Sequence, residues 1–389
     1  MTRLTTDSIH GADNMRRVTD VIPPINVSTT FAYSSNPDDL VPVAETTGTI
    51  AGSKTFIYSR EHHPNAAMIE AIFEKITGKY AVVYNSGLGA YNGLITLVNP
   101  KTVAIGQAYH GVHGINDIWA RNFGLKKIHI DDDYNSLKPG DLVHLESPMN
   151  PYGTNINLEE YAKRAHAKGA LVSVDATFAP PPLMDPFELG ADIVMHSATK
   201  FFGGHSDLLA GVLLTPSKEI KMKLLEDRLV LGSIIGNLES SLLLRSLRTY
   251  ELRILRQSKS AELIVKFLND NKSKFPNLDK IYHGSLQTDE YIKKQMPNGH
   301  SPVFSIEMTS EDKARRLPSK LKIFFHATSL GGAESLIEWR AMSDAHISQK
   351  LLRVSIGLED PRDLLADLVQ GLAEQKDDEL ISQIEALSI

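Results

Sequence analysis

Lys200 stands in the run His196-Ser197-Ala198-Thr199-Lys200-Phe201-Phe202-Gly203-Gly204-His205-Ser206-Asp207, just beyond the apolar stretch Ile193-Val194-Met195. A lysine is ordinarily a solvated surface residue. Here it is expected at the carboxyl end of a strand, beside Phe201 and Phe202. Desolvation lowers the pKa of an amine and turns it into a nucleophile for a carbonyl. Earlier in the chain, Leu171-Val172-Ser173-Val174 ends in Asp175. A buried carboxylate needs a partner. A protonated ring nitrogen would serve, and so would a structural or helix-capping role. Earlier still, Ala81-Val82-Val83-Tyr84 runs into Asn85-Ser86-Gly87-Leu88-Gly89-Ala90 and then a helix. Such a turn offers free backbone N–H groups and the positive end of a helix dipole to a phosphate. By itself it reads equally as a tight strand-to-helix connection. Ser197 and Thr199 could add uncharged donors to phosphate oxygens. Together the three features describe a pyridoxal phosphate site. The lysine would condense with the cofactor's aldehyde, the acid would keep the pyridine nitrogen protonated, and the ring would act as an electron sink. A dinucleotide site would want an acidic residue at the end of the next strand. That strand ends in Gly106-Gln107.

These groups can meet only if their strands end along one edge of a sheet. Short apolar runs predict strands at 81–84, 102–106, 127–130, 142–145, 171–174, 193–195 and 212–214. Periodic stretches predict helices at 65–77, 89–98, 113–122 and 158–168. Asn65 is expected to cap the first helix and Gly78 to stop it. The alternation implies a mostly parallel sheet covered on both faces, with ligands at the carboxyl ends of its strands. Pro23, Pro24, Pro37 and Pro42, with Asp38-Asp39 and Thr46-Thr47-Gly48-Thr49, predict an irregular arm or lid over residues 1–55. A long helix over 237–257 should bridge from an α/β domain at 56–250 to a smaller α+β domain at 251–389. That domain would hold strands at 303–307, 323–325 and 353–356 and helices at 259–269 and 362–374.

Composition narrows the function. The 389 residues are 42% hydrophobic and 23% charged, which excludes a mostly disordered chain, a collagen or a coiled coil. A formal net charge of −6 gives no basic footprint for nucleic acid. No run reaches the roughly 18 apolar residues of a spanning helix, so no membrane partner is expected. Cysteine is absent, which removes disulfides, thiolate metal sites and a cysteine nucleophile. The N-terminal residues lack a signal-type apolar core, and Asp7 and Asp13 interrupt the basic residues of a matrix-targeting helix. A cytoplasmic protein is expected.

With these residues in view, the chain resembles the pyridoxal-phosphate-dependent trans-sulfuration family, the Cys/Met-metabolism group. That group includes cystathionine γ-synthase, the cystathionine γ- and β-lyases, methionine γ-lyase and O-acetylhomoserine sulfhydrylase. The resemblance extends from Pro23-Pro24-Ile25 to the helix after Gly357-Leu358-Glu359-Asp360. His196 to Lys200 with Gly204-His205-Ser206-Asp207 matches the family's lysine signature. Glu146-Ser147-Pro148-Met149-Asn150-Pro151 matches its E-[ST]-P-x-N-P element. Ser329-Leu330-Gly331-Gly332-Ala333-Glu334-Ser335-Leu336 and Leu352-Arg353-Val354-Ser355-Ile356-Gly357 match its C-terminal signatures. The implied fold is that of the type I, aminotransferase-like enzymes: α/β, with a mostly parallel seven-stranded sheet and a smaller α+β C-terminal domain.

The resemblance also implies roles. Lys200 would hold the cofactor and then shuttle protons among Cα, C4′ and Cβ. Asp175 would pair with the pyridinium. Ser86, Gly87 and Leu88 would hold the phosphate with Ser197 and Thr199, and Thr177 would also contact the cofactor. Tyr58 and Arg60 would reach that phosphate from a neighbouring subunit, making a dimer obligatory and a dimer of dimers the expected assembly. Tyr109 would stack on the ring and assist proton transfer. Asn150 would lie near the ring hydroxyl. Arg353 would grip the substrate carboxylate as a bidentate fork, with Ser329, Tyr58 and Asn150 beside the substrate.

Three departures bear on substrate. Members that handle cystathionine often carry Glu just before the Ser-Leu-Gly-Gly element, and here that position is Thr328, which would not pair with a distal ammonium. After Tyr58-Ser59-Arg60 the family usually has small residues, where this chain has Glu61-His62-His63-Pro64, and Tyr109 is followed by His110-Gly111-Val112-His113, so four histidines fall beside these motifs. Some are predicted at the substrate entrance, where a neutral-range pKa suits a general acid, and structural roles or a metal site are the other readings; no metal is expected. Glu338-Trp339-Arg340 is also unusual and is expected to cover the pocket. The leading expectation is elimination or replacement at Cβ or Cγ with carbon–sulfur chemistry, either γ-replacement on an activated homoserine or lyase action on cystathionine. The first allows an unusual nucleophile in secondary metabolism. A non-catalytic relative that binds the cofactor is argued against by the retention of Lys200, Asp175, Tyr109 and Arg353. A nicotinamide-dependent oxidoreductase is the remaining class.

Overall fold

The computed structural model describes residues 3–42, 45, 56–373 and 377–387. The loop expected at Thr46-Thr47-Gly48-Thr49 lies outside the described residues. The arm begins with helix α1 (Leu4–His10), followed by short 3-10 turns and extended chain. Then come α2 (Pro64–Thr77), β1 (Tyr80–Tyr84), α3 (Gly87–Val98), β2 (Thr102–Ile105), α4 (His110–Phe123) and β3 (Lys126–Ile128). These are followed by β4 (Leu142–Glu146), α5 (Leu158–His166), β5 (Leu171–Asp175), β6 (Ile193–Ser197) and β7 (Gly211–Thr215). The seven strands form one sheet in the order β1-β7-β6-β5-β4-β2-β3. All pairs are parallel except those that β7 makes with β1 and β6.

Period-two alternation explains why both faces are covered. In β1, Val83 packs into one core with Val143, Val172 and Val194. Val82 and Tyr84 pack into the opposite one with Val103, Ile193 and Met195. The parallel strands β4, β5 and β6 run out together, so Glu146, Asp175 and Ser197 sit at the same edge. Helix α6 (Lys218–Leu231), which hydrophobic patterning did not predict, buries little beyond Leu224, Leu225 and Arg228. The long helix expected over 237–257 is two helices, α7 (Asn237–Leu247) and α8 (Tyr250–Asp270). The break frees the Ser246 carbonyl, which Thr249 and the Arg253 guanidinium then share.

Beyond α8 lie β8 (Leu278–Tyr282), β9 (Val303–Met308), β10 (Phe325–His326), β11 (Leu336–Trp339) and β12 (Leu351–Ser355). They make a second sheet in the order β10-β11-β12-β9-β8, antiparallel except for β10 and β11. Its apolar face packs on α8 and on helix Pro361–Leu372 through Ile264, Leu268, Ile306, Val354 and Leu365. Strands β8 and β11 are additions to the sequence reading, and the strand expected at 323–325 is displaced to Phe325–His326.

The first helix corrects an expectation. Its N-cap is His63, with no side-chain cap bond, and Pro64 opens the helix. Asn65 instead pins the arm, donating to the Pro24 carbonyl (3.1 Å) and accepting from the Asn26 amide (3.2 Å). Gly78 does end the helix, at φ 66°, the left-handed geometry that glycine adopts freely. Edge strand β1 is fastened by a buried ion pair. Arg228 Nη1 donates to Glu70 Oε1 and to the Val83 carbonyl, both at 2.6 Å. Glu70 Oε1 also accepts from the Val83 amide at 3.0 Å. Removing one member of such a pair strands a buried charge. Arg228→Met should therefore destabilise the protein by about 3–5 kcal/mol in denaturant titration; a loss below about 1 kcal/mol, the scale of an exposed pair, would show that the pair does not hold this edge.

Candidate active site

At the carboxyl edge of the large sheet lies a cleft of about 360 Å³, within the roughly 300–1,000 Å³ typical of small-ligand sites. Its wall includes Ser86, Gly87, Leu88, Tyr109, Asn150 and Asp175. Thr177, Ser197, Thr199, Lys200, Ser329 and Arg353 complete the set of sequence-predicted residues found there. Tyr58 and Arg60 do not line the cleft of their own chain. Tyr58 bridges to Thr30, and Arg60 donates to the Leu229 carbonyl at 2.8 Å.

Helix α3 begins at the phosphate turn. Ser86 is its N-cap, and Ser86 Oγ accepts from the Gly89 amide at 2.9 Å. The Gly87 and Leu88 amides at the helix start donate to no described group, which leaves two N–H donors and the helix dipole for an anion. A Cβ on Gly87 would come within 3.1 Å of Ser197 Cβ, so glycine lets the turn pack against β6. The Ser197 hydroxyl lines the cleft beside it. Thr199 also lines the cleft, but its hydroxyl donates to the Ala210 carbonyl (3.2 Å) and accepts from the Ala210 amide (3.0 Å), so its proton is already used.

Asp175 ends β5. Its Oδ1 accepts from the Thr177 amide (3.0 Å) and hydroxyl (2.6 Å), and Thr177 Oγ1 in turn accepts from the Ser197 amide (2.8 Å). Thr177 thereby ties the acid to the strand that leads to Lys200. In the parallel register Asp175 lies opposite Glu146. Burial pushes both acids up, and at Glu146 the charge of Asp175 adds to the effect. A buried carboxylate so disfavoured as a lone anion is matched by a cationic ring nitrogen, which makes this end of the cleft fit a pyridinium.

Sequence reading gave Glu146 no role beyond its motif. Its two oxygens accept from the backbone amides of Tyr109 (2.7 Å) and Asn150 (2.9 Å). One side chain thus sets the start of α4 and the loop after β4, the two pieces that flank the ring site. Tyr109 is 40% exposed at that position and leans on His110, with ring centroids 4.3 Å apart. Of the four unusual histidines, only His110 lines the cleft. His62 stacks on Phe56, His63 bonds the Asn26 carbonyl, and burial lowers the pKa of both. Burial, with Lys127 beside it, also lowers His113. Among the described residues no group of three or more His, Cys, Asp or Glu could hold a metal.

Lys200 follows β6, and its Nζ donates to Ser329 Oγ at 2.8 Å. Burial and the nearby Arg353 cation push the amine down to about 8, against the pull of Glu338. An amine that loses its proton near neutrality can both attack a carbonyl and accept a proton. Two features hold it there. Gly331, at φ 83°, lies so close that a Cβ would stand 2.7 Å from the Phe201 amide nitrogen and 2.9 Å from the Lys200 carbonyl carbon. Ser329 also has a positive φ, 83°, a geometry that costs a non-glycine residue about 1–3 kcal/mol and persists only where surroundings enforce it. From below, Arg253 of α8 donates to the Phe201 (2.8 Å) and Phe202 (3.3 Å) carbonyls. Gln257, one turn on, donates to Gly332 (2.7 Å) and Ile356 (3.1 Å) carbonyls. A polar pair spaced by four on an otherwise apolar helix face was the available signal for these supports.

Arg353 reaches the cleft from β12. Its Nη1 donates to Asn150 Oδ1 (3.0 Å), and its Nη2 donates to the Ser329 carbonyl (3.0 Å) and Glu338 Oε2 (2.7 Å). Glu338 Oε2 also accepts from Arg340 Nη1 (2.8 Å), and Glu338 Oε1 accepts from Ser343 Oγ (2.6 Å). Thr328, Arg340 and Ser343 line the cleft; of the Glu338-Trp339-Arg340 run expected to cover it only Arg340 does, and Trp339 packs against the C-terminal core instead.

Residues 5–373 match the family model described as Cys/Met metabolism PLP-dependent enzyme. A cystathionine gamma-lyase of Dictyostelium discoideum is 33% identical over 396 residues, spanning 95% of this chain and 97% of its own. A cystathionine beta-lyase of Lactococcus lactis subsp. cremoris (strain MG1363) is 30% identical over 96% of this chain and 100% of its own. The crystal structure of an apo methionine gamma lyase from Micromonospora echinospora aligns with a TM-score of 0.82 at 30% identity, covering 96% of this chain and 99% of that one. The arrangement of Lys200 and Asp175 around one cleft agrees with those likenesses, and the expected type I fold, α/β with a smaller C-terminal sheet, is the one observed. The chain therefore belongs to the Cys/Met-metabolism family, and it is a pyridoxal-phosphate-dependent enzyme that carries out elimination or replacement at Cβ or Cγ of an amino acid.

Proposed function

We propose that this enzyme makes or breaks a carbon–sulfur bond at Cγ of a four-carbon amino acid, by γ-replacement on an activated homoserine or by lysis of a thioether such as cystathionine. The observation that carries the reading is the half-buried amine of Lys200, lowered to about 8 and set in the same cleft as Asp175 and Arg353. Bound pyridoxal phosphate supplies an electron sink that acidifies the Cα–H of the amino acid. The chain's own groups do the rest. Gly87 and Leu88 amides with Ser197 hold the phosphate, and Asp175 keeps the ring nitrogen protonated. Arg353 binds the substrate carboxylate, sharing its fork with Asn150 and Glu338. Lys200, passing its proton through the reach of Ser329, takes the Cα proton and returns it along the carbon chain. Tyr109, fixed by Glu146, covers the ring and assists at the leaving group. Thr328 offers no charge to a distal ammonium, which favours substrates without one.

The position of Arg60 and Tyr58 outside their own cleft supports a site completed by a second subunit, hence a homodimer as the smallest active unit and a dimer of dimers as the full assembly.

Two outcomes check this reading. Lys200→Ala should lower turnover of O-acetylhomoserine and cystathionine, read as 2-oxo acid or new thioether, by at least about a thousandfold, the scale of a lost general base; normal turnover would contradict it. Co-refolding inactive Lys200→Ala with inactive Arg60→Ala should restore about a quarter of wild-type activity, because half of the randomly formed dimers hold one intact site. No recovery in dimers shown to be mixed would place Arg60 in the site of its own chain.

A further inference from the structure

Arg340 is a second buried guanidinium in the cleft, tied to Glu338 but given no task by the mechanism above. It is 5% exposed and stands at the turn after β11, where it lines the same cavity as Lys200 and Arg353. Its Nη1 donates to Glu338 Oε2, but that oxygen is already shared with Arg353. The other Glu338 oxygen is held by Ser343. Asp344 lies 4.0 Å from Arg340 Nη2, beyond hydrogen-bond reach. Arg340 Nε is buried and has no partner. A guanidinium has five N–H donors and keeps its charge, and leaving buried donors unpaired is costly. Glu338 is shared between two guanidiniums, and Asp344 meets Arg340 only at ion-pair distance, so Arg340 keeps N–H donors free for a further anion. Ser343 and the neutral Thr328 complete the wall on this side.

We propose that Arg340 is a specificity-determining residue that binds a second carboxylate, one carried at the far end of the substrate's side chain. The assignment rests on the function proposed above. It names the substrate class as amino acids whose departing or incoming group ends in a carboxylate without an accompanying ammonium. The α-carboxylate goes to Arg353, the reacting carbons lie beside Lys200, and the distal carboxylate reaches Arg340. Glu338 spaces the two cations and keeps one anion from bridging both.

The test is a matched pair of thioethers of similar size, S-(2-carboxyethyl)homocysteine and S-propylhomocysteine. Binding is measured by calorimetry to the cofactor-loaded Lys200→Ala protein, which does not consume them. The carboxylate ligand should bind at least about tenfold more tightly than its apolar counterpart, the scale of one charge-assisted contact. Adding Arg340→Met should erase that preference, and Arg340→Lys should restore part of it. In protein that retains Lys200, the ratio of kcat/KM for the two thioethers should fall by the same factor, mainly through KM. A preference absent from the start, a preference that survives Arg340→Met, or an equal loss for both ligands would overturn the assignment; the last would mark Arg340 as a support for Glu338. Failure of both ligands to bind at all would instead contradict the thioether reading of the site, and this assignment with it.

Discussion

A buried guanidinium must be paired, and in this protein the pairing of Arg353 draws the site together. Its donors are met by Asn150 from the loop after β4, by the Ser329 carbonyl and by Glu338 across the β11–β12 ladder. No two of these groups are close in sequence to the other sheet's contribution. Pairing them docks the five-stranded sheet on the carboxyl edge of the seven-stranded one, and the cleft is what remains between. Ser329 is held in its left-handed conformation by the same contact, with its hydroxyl against the Lys200 amine. The cation proposed to bind the substrate also adds to the burial that lowers Lys200.

The acids on the opposite wall follow the same logic. Glu146 and Asp175 face each other at the ends of neighbouring parallel strands, where burial makes two adjacent anions unfavourable. A cationic ring beside Asp175 relieves that conflict, and Glu146 is relieved by the two backbone amides it accepts.

Much of this was legible in the residues. Lys200, Asp175 and the Gly87 turn were found because strand-end polar residues interrupt apolar runs, and parallel strands bring such ends together. The alternating pattern of the large sheet gave its strands to within a few residues. The groups that stayed hidden act across the fold. Arg253 and Gln257 sit on a helix whose apolar periodicity masked them, and the same periodicity joined α7 to α8 across the Thr249 break. Asn65 has the residue type of a cap, yet its side chain serves residues some forty positions away. Tyr58, Arg60 and Arg353 carried no local signal and were placed by family likeness alone; of these only Arg353 is in the cleft of the single chain. Thr199 has the right type and the right place, and a competing backbone bond takes its proton.

The central claim is that the Lys200 amine is the group that carries the cofactor. It is tested most directly by incubating the protein with pyridoxal phosphate, reducing with borohydride, digesting, and locating the added mass. The account predicts a single stoichiometric adduct on Lys200, absent after Lys200→Ala. An adduct on another lysine, or none at all, would contradict it.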